Sequence, residues 1–261
     1  SMYIKPYDEL TIQDNFIFQK VMRNKRICKQ TIERLLDIDI KDISYPEEEK
    51  SINVRLDSKS IRLDVYVNDD KGTIFNIEMQ TTKDMDELVK RTRYYQGLID
   101  IDNIEKGQNY SALHDTYIIF ICTFGVFTGK RHKYTFRNLC IEDNEILLND
   151  GTTKLFLSTK GEADDVSKPL KMFLDYVDGK KPEDALMQEI DHEVDTVKHC
   201  DEWRRDYMTL ALEMDKKWRE GKAEGKIEAI RNAIKDGLTT LAAVKKSGRY
   251  TEEEIAAIAA P

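Results

Sequence analysis

The chain has 261 residues, of which 40% are hydrophobic and 34% are charged. This composition excludes a disordered chain, because it supplies enough apolar side chains for a core. The formal net charge of -8 at pH 7 argues against a protein that coats DNA through a generally basic surface. It does not exclude a nuclease, because a divalent cation bound between carboxylates offsets their charge locally.

The cysteine spacing and the hydropathy of the sequence indicate whether the protein binds zinc, is secreted or spans a membrane. None of the four cysteines lies close enough in sequence to another to give a zinc-ligand spacing. The N-terminal sequence has no apolar run of the kind found in secretion signals, and the most apolar stretch, residues 117–122, is too short to span a bilayer. We therefore expect a soluble, cytoplasmic protein that makes no membrane contact.

The first part of the chain is predicted to form a helix followed by three strands. Apolar residues recur with helical spacing over residues 11–39, with a break at 23–25. Apolar and polar residues then alternate over 50–57, 60–67 and 73–80, as they do in half-buried strands. The turn sequence NDDKG joins the last two strands, so they are predicted to form a hairpin.

Helices and strands continue to alternate after this hairpin. The predicted elements are a helix at 84–101, strands at 115–124, 132–138, 145–148 and 153–158, and helices at 166–178 and 182–198. This order of elements indicates an α/β core.

The composition shifts near residue 200, where a strongly charged helical pattern begins and extends to about residue 235. A short helical pair follows over 239–259. Thr251 and Glu254 have the spacing of a capping box at the start of its second helix. We therefore predict a nuclease-like core domain at 1–200 and a helical C-terminal region, with one long helix and the short pair, at 201–261.

Small residues recur at every fourth position along the predicted long helix. They are Gly221, Gly225, Ala229 and Ala233. Because a helix-interior glycine is about 1 kcal/mol less favourable than alanine, this helix is expected to pack closely against another helix. The flanking residues are charged, which excludes a membrane. A second subunit can supply the partner helix, so a homo-oligomer through this C-terminal helix is one expectation.

The predicted hairpin carries the candidate chemistry. We expect Asn68 to face Gly72, because this register makes one face of the hairpin apolar. The other face then carries Asp64, Glu78 and Gln80. Asp64 and Glu78 become diagonal neighbours with Cα atoms about 7–8 Å apart, and two carboxylates at that separation can share one divalent ion. The alternative interpretation is a solvated sheet face with scattered polar residues.

A basic and aromatic helix follows the hairpin. The residues that give it this character are Lys83, Lys90, Arg91, Arg93, Tyr94 and Tyr95. Arg91 and Tyr95 lie one helical turn apart and either touch a DNA phosphate or brace the sheet. Two close carboxylates repel each other. A divalent cation removes that repulsion, activates water and stabilises the charge that develops in phosphodiester hydrolysis.

Several separated segments resemble one known group. The sequences IRLDVYVNDDKGTIFNIEMQ and KRTRYYQGLI, with LTIQDNFIFQKVM, YIIFICTF, YTFRNLC and DGTTKLFLSTKG, resemble the PD-(D/E)XK nuclease family transposases, a bacterial family that includes the recombination-promoting nucleases. The resemblance covers roughly residues 8–160. It implies a restriction-endonuclease-like α/β fold, in which helices flank a mixed central sheet. It also implies a bacterial DNA endonuclease that depends on Mg²⁺, with Mn²⁺ able to substitute.

The resemblance assigns roles to individual residues. Asp64 and Glu78 match the metal-binding acids, and Gln80 occupies the position where the superfamily usually has lysine. Glutamine can orient a water molecule but cannot supply positive charge, so Lys83 from the following turn is a candidate for that role. Asp14 lies on the first helix, where the superfamily often carries an additional acid. It is as readily interpreted as a helix cap.

Two functions remain open from the sequence. The first is a Mg²⁺-dependent DNA endonuclease associated with recombination or mobile elements, in which Asp64, Glu78 and Gln80 are catalytic. The second is a catalytically weak or inactive protein of the same fold that binds DNA or another protein, and the acidic net charge and Gln80 favour it. A small-molecule enzyme has no support, because the sequence has neither a phosphate-binding glycine loop nor a nucleophile–histidine pair.

Overall fold

The structure is a computed structural model that describes residues 2–46, 51–52, 61–221 and 223–260. Most of the strand predicted at 50–57 lies outside these residues. In the described residues the helices are α1 (Asn15–Val21), α2 (Lys25–Leu36), α3 (Met85–Asp102), α4 (Lys168–Val177), α5 (Ala185–Lys198), α6 (Asp201–Glu220), α7 (Ala223–Lys235), α8 (Leu241–Ser247) and α9 (Glu252–Ala259). The strands there are β1 (Ile43–Ser44), β2 (Ser51–Ile52), β3 (Ile61–Arg62), β4 (Val65–Asp69), β5 (Ile74–Gln80), β6 (Thr116–Cys122), β7 (Lys133–Phe136) and β8 (Thr152–Ser158).

Contacts along the chain define two units, which are described separately below. The sheet unit comprises Lys29–Glu78 and Met85–Ser167. The helical unit comprises Ser1–Cys28, Met79–Asp84 and Lys168–Pro261. The boundary near residue 200 stays a prediction from composition.

Four predicted elements differ from the observed ones. The strand predicted over 60–67 is two strands, because a bend at Asp64 separates β3, which pairs with β2, from β4. The helix predicted over 11–39 is two helices, because the Asn24 side chain accepts a hydrogen bond from the backbone nitrogen of Ile27 at 3.1 Å and thereby caps α2. The prediction of a single long C-terminal helix is wrong, because Gly221 takes an extended conformation and ends α6. Residues 145–148 form no strand, and Leu147 makes an isolated bridge to Leu139.

A mixed sheet lies at the centre of the sheet unit. Among the described residues it has six strands in the order β1-β4-β5-β6-β8-β7. β6 and β8 are parallel, whereas β4 is antiparallel to β1 and to β5, and β7 is antiparallel to β8. β2 and β3 form a separate antiparallel pair. The predicted α/β fold with a mixed central sheet is confirmed.

The register of the β4–β5 hairpin differs from the predicted one by two residues. Val65 pairs with Ile77, whereas the prediction paired it with Phe75. Asn68 likewise pairs with Ile74 and not with Gly72. Because side chains alternate between faces with a period of two, a shift of two residues leaves the paired side chains of β4 and β5 on their predicted faces.

The loop of the hairpin explains this shift. The Asp69 side chain accepts hydrogen bonds from the backbone nitrogens of Lys71 and Thr73 at 2.9 and 2.8 Å. Gly72 has φ of +84°, the left-handed conformation that a glycine supplies at the end of a three-residue hairpin loop. Gly72 therefore belongs to the loop and does not pair across the strands.

Helix α3 packs on one face of the sheet and builds a core there. Its buried residues recur at helical spacing and are Leu88, Thr92, Tyr95, Leu98 and Ile99. The sheet residues in the same apolar cluster include Tyr66, Ile74, Ile118, Phe120, Cys122 and Phe156. Full burial of one large apolar side chain contributes about 1.5–3 kcal/mol, so this cluster fixes α3 against the strands that carry the candidate acids.

An aromatic group stabilises the helical unit. The ring centroid of Tyr207 lies 5.5 Å from that of Tyr7 and 5.1 Å from that of Phe16. The Tyr207 hydroxyl is within hydrogen-bond distance of the carbonyl oxygens of Lys5 and Leu238. These contacts join the N-terminal segment to α1, α6 and the segment after α7.

Three of the four small residues lie on α7, which contacts α6 and α9, and the fourth, Gly221, ends α6. A methyl group added at Gly221 would lie 3.2 Å from the carbonyl carbon of Gly225, and Ala229 and Ala233 are buried. The expected close helix packing therefore occurs within the chain, and the homo-oligomer stays a prediction. No helix among the described residues is long and apolar enough to cross a membrane.

Candidate active site

Two acids of the sheet unit lie at the open end of the β4–β5 hairpin. Val65 is the first residue of β4 and pairs with Ile77, so Asp64 immediately precedes this pair and Glu78 immediately follows it on the neighbouring strand. Asp64 is half-buried, and Glu78 is 2% exposed.

Glu78 lies in a strand that is buried on both faces. Residues 74–79 of β5 are all buried, and Asn76, one pleat before Glu78 on the same face, is fully buried. An ionised carboxylate in such a setting requires compensating partners, because the protein interior solvates charge poorly. Helix α3 supplies them.

The first partner is Arg91 of α3. Its guanidinium lies 3.8 Å from the Glu78 carboxylate and 2.8 Å from that of Glu87. Burial would lower the pKa of Arg91, but the neighbouring Tyr95, Glu78 and Glu87 outweigh it and raise that pKa. Arg91 therefore remains a cation in a buried position, and it also lies 6.0 Å from the ring centroid of Phe120.

The second partner is Tyr95, one turn further along α3. Its side chain is hydrogen-bonded to Glu78, and burial, Glu78 and Asp64 together raise the pKa of Tyr95 well above its usual range. The phenol therefore stays protonated and donates to the carboxylate. Both acids raise the pKa of the same hydroxyl group, and that they form one site stays a prediction.

The predicted roles of Arg91 and Tyr95 can be compared with this geometry. The sequence left open whether they touch a DNA phosphate or brace the sheet. Both are largely buried and both contact Glu78, so they position that carboxylate from the helix above it. A direct contact of either residue with DNA stays a prediction.

Gln80 and Lys83 follow Glu78 in sequence. Gln80 is the last residue of β5 and is half-buried, whereas Lys83 is exposed in the turn before α3. Both residues belong to the helical unit. Their catalytic roles stay predictions.

Asp14 occupies the N-cap position of α1 in the helical unit. It is 1% exposed, and its Oδ2 accepts hydrogen bonds from the backbone nitrogen of Thr11 at 2.7 Å and from Lys5 Nζ at 3.0 Å. These contacts fix the chain that enters α1. An additional role for Asp14 near a metal ion stays a prediction.

The acids can be tested for their fit to a divalent metal. The described residues contain no group of three or more His, Cys, Asp or Glu side chains that could hold an ion. Asp64 and Glu78 would therefore supply two carboxylates, and water or substrate phosphate oxygens would complete the shell. Mg²⁺ commonly binds in this way, through one or two carboxylates, retained waters and phosphates.

Sequence reasoning missed the contacts around Glu78. The Glu87–Arg91 pair has i,i+4 helical spacing, which was a readable signal. The Arg91–Glu78 pair and the Tyr95–Glu78 hydrogen bond join a helix to a strand, and no local spacing encodes them.

Comparison with known proteins adds a decisive finding. A family model described as PD-(D/E)XK nuclease family transposase matches residues 15–159, which is more than half of the chain. The chain belongs to this family. Searches of curated proteins and of solved structures found no match.

Membership supports a nuclease role associated with recombination, with DNA as the substrate that the family implies. The α/β fold with its mixed sheet is consistent with the restriction-endonuclease-like fold of PD-(D/E)XK proteins. The matched residues include Asp64, Glu78, Gln80 and the α3 residues that contact Glu78, whereas Asp14 lies one residue before the match.

Proposed function

We propose that this chain is a DNA endonuclease that uses a divalent metal to hydrolyse phosphodiester bonds during recombination or mobile-element movement. One observation carries the proposal: Asp64 and Glu78 flank the Val65–Ile77 pair on neighbouring strands, and both raise the pKa of the buried Tyr95 hydroxyl. Groups with strongly perturbed pKa values beside paired acids cluster at functional sites. The family match covers both acids.

In this proposal Asp64 and Glu78 hold Mg²⁺, and Mn²⁺ can substitute for it. The bound ion would supply Lewis acidity at the scissile phosphate and lower the pKa of water. The residues of the chain prepare the site for it. Tyr95 fixes the Glu78 carboxylate by a hydrogen bond, and Arg91 offsets part of the negative charge of the two acids before an ion arrives.

Gln80 is proposed to orient the attacking water. Its amide can donate to one oxygen and accept from another, so it can hold a water molecule in one orientation without changing its charge. The positive charge that a lysine would supply at this position has to come from another residue. Lys83, in the turn after β5, is the candidate.

A second function is favoured by a different observation. Glu78 is 2% exposed and already bound by Arg91 and Tyr95, which would suit an acid with a structural role. With glutamine at the usual lysine position, the chain could bind DNA or a protein without cutting. This alternative predicts DNA binding that no divalent metal alters.

Cleavage of supercoiled plasmid separates the two functions. Wild type is incubated with Mg²⁺ or Mn²⁺ beside Asp64→Asn and Glu78→Gln, which keep side-chain shape and remove charge. Asp70→Asn, at the exposed hairpin loop, is the matched control. The endonuclease predicts nicked or linear DNA with wild type and control, and loss of cleavage in both site variants. Cleavage that survives both site variants, or none by wild type with either metal, would contradict it.

A further inference from the structure

A continuous group of aromatic rings runs from the candidate active site to the surface of the sheet unit. The Arg91 guanidinium, which contacts Glu78, lies 6.0 Å from the ring centroid of Phe120. Phe120 contacts Phe156 edge-on, with centroids 5.4 Å apart. Phe156 in turn lies 5.2 Å from Phe127 and 5.9 Å from Phe136.

The outer rings of this group are accessible to solvent. We call Phe127, Tyr134 and Phe136 the stacking surface. Phe127 is 37% and Phe136 is 43% exposed, and their centroids lie 5.0 Å apart. Phe127 also has φ of +52°, a conformation that bulky side chains rarely adopt. The loop therefore presents this ring at the surface despite an unfavourable backbone conformation.

The stacking surface borders the apolar cluster that lies between α3 and the sheet. Tyr134 pairs with Phe156 across β7 and β8, and Tyr134 and Phe156 pack in the cluster that contains Tyr66 and Tyr95. Three strand intervals separate β5 from β7 in the sheet order. At about 4.8 Å each, they span roughly 14 Å, so the stacking surface and the candidate acids lie within one short DNA segment's length of each other.

The segment that carries the stacking surface is basic in sequence, although Glu162 and Asp165 lie against two of its cations. Residues 116–141 contain no Asp or Glu, but they contain Lys130, Arg131, Lys133 and Arg137. A surface cleft of about 390 Å³ is lined by Arg131, Lys133, Tyr134, Thr135, Phe136 and Asp165. Cations beside aromatic rings are the combination that single-stranded nucleic acids bind, through their phosphates and bases respectively.

Two of these cations are exposed although each has an acidic neighbour. Lys130 pairs with Glu162 at 3.0 Å, with the two side chains 77% and 67% exposed. Exposed ion pairs contribute little to stability, so Lys130 can turn to a bound phosphate at low cost. Arg131 is 58% exposed and lies 3.6 Å from the buried Asp165. A guanidinium has five N–H donors, so Arg131 can contact a phosphate without leaving Asp165.

We infer that the stacking surface binds unpaired bases of single-stranded DNA while Lys130 and Arg131 contact its phosphates. Ring faces stack on bases that are unpaired and unstacked, whereas a duplex offers base edges in its grooves. The inference rests on the proposed function for its choice of substrate. It specifies that substrate as DNA with a single-stranded segment beside the bond that is cut.

Binding measured without cleavage tests the inference. Fluorescence anisotropy compares a fluorescein-labelled oligothymidine with a blunt duplex of equal phosphate number, both in EDTA. Phe136→Leu keeps apolar contact with Phe156 but cannot stack on a base, and Phe136→Trp keeps the aromatic face. Tyr110→Leu, at an 83% exposed position, is the control. Circular dichroism confirms that each variant is folded.

We expect wild type to bind the single strand more tightly than the duplex. Phe136→Leu should weaken single-strand binding about tenfold, while Phe136→Trp and Tyr110→Leu should bind like wild type. Equal or tighter binding of the duplex, or unchanged single-strand binding by Phe136→Leu, would overturn the inference. Loss of self-association in Phe136→Leu with unchanged DNA binding would also overturn it, since the surface would then contact a second copy.

The same variants distinguish this inference from the proposed function. If single-strand binding depends on Phe136 but wild type cuts no DNA, the inference stands and the endonuclease proposal fails. If Asp64→Asn abolishes cleavage while Phe136→Leu changes neither binding nor cleavage of a substrate with a single-stranded tail, the endonuclease stands and the inference fails.

Discussion

Replacement of Arg91 by methionine isolates the charge that α3 places over Glu78. The side chains of Arg91 and Glu78 are 9% and 3% exposed, and their nearest charged atoms are 3.8 Å apart. Methionine keeps much of the length and apolar character of the arginine stem. The variant therefore removes the charge and leaves a buried carboxylate with less compensation.

The size of the effect follows from this geometry. At 3.8 Å and an effective dielectric constant of 20, the pair interacts by about 4 kcal/mol. Loss of one partner from a buried pair typically costs about 3–5 kcal/mol. Because Tyr95 still donates to Glu78, we expect the free energy of unfolding to fall by about 3 kcal/mol, which lowers Tm by roughly 6–12 °C.

Differential scanning calorimetry with and without Mg²⁺ measures this effect. Arg93→Met, on an exposed position of the same helix, is the control and should melt within about 2 °C of wild type. If the two acids bind Mg²⁺, the ion should raise Tm more in Arg91→Met than in wild type, because it replaces the missing cation. The reasoning would be refuted if Arg91→Met melted like Arg93→Met.

Three further predictions concern single residues. Tyr95→Phe removes the hydrogen bond to Glu78 and should weaken Mg²⁺ affinity by about 10- to 100-fold, measured by titration calorimetry; unchanged affinity would contradict the bracing role. Lys83→Ala should slow plasmid cleavage, and wild-type rates would exclude Lys83 from catalysis. Burial would raise the pKa of Asp165, but hydrogen bonds from His132 outweigh it and hold that pKa below its usual range. The stability that Asp165 contributes is therefore present above about pH 4 and lost at lower pH. In urea unfolding, Asp165→Asn should be less stable than wild type at pH 7, by a margin that shrinks below pH 4; a constant margin would contradict this.

Strand alternation in the sequence was enough to find the candidate acids. The alternating pattern predicted Asp64, Glu78 and Gln80 on one face. A register shift of two residues leaves that prediction unchanged. The exact pairing was beyond this reasoning. It depends on Asp69, whose side chain caps the loop, and on Gly72 within that loop.

Contacts between distant elements could not be read from local patterns. The bond between Tyr95 and Glu78 exists because an apolar cluster packs α3 on the sheet, and only that packing brings the two residues together. Likewise, helical periodicity runs through Gly221 without interruption. The chain bends there because α7 packs back on α6, and close approach at Gly221 requires a residue without a side chain.

Mn²⁺ binding followed by electron paramagnetic resonance tests the central claim most directly, since it reports the metal at Asp64 and Glu78 without reference to any DNA substrate. We expect wild type to bind Mn²⁺, Mg²⁺ to displace it, and Asp64→Asn and Glu78→Gln to lose most of this binding while Asp70→Asn retains it. Unchanged Mn²⁺ binding in both site variants, or none in wild type, would contradict the account.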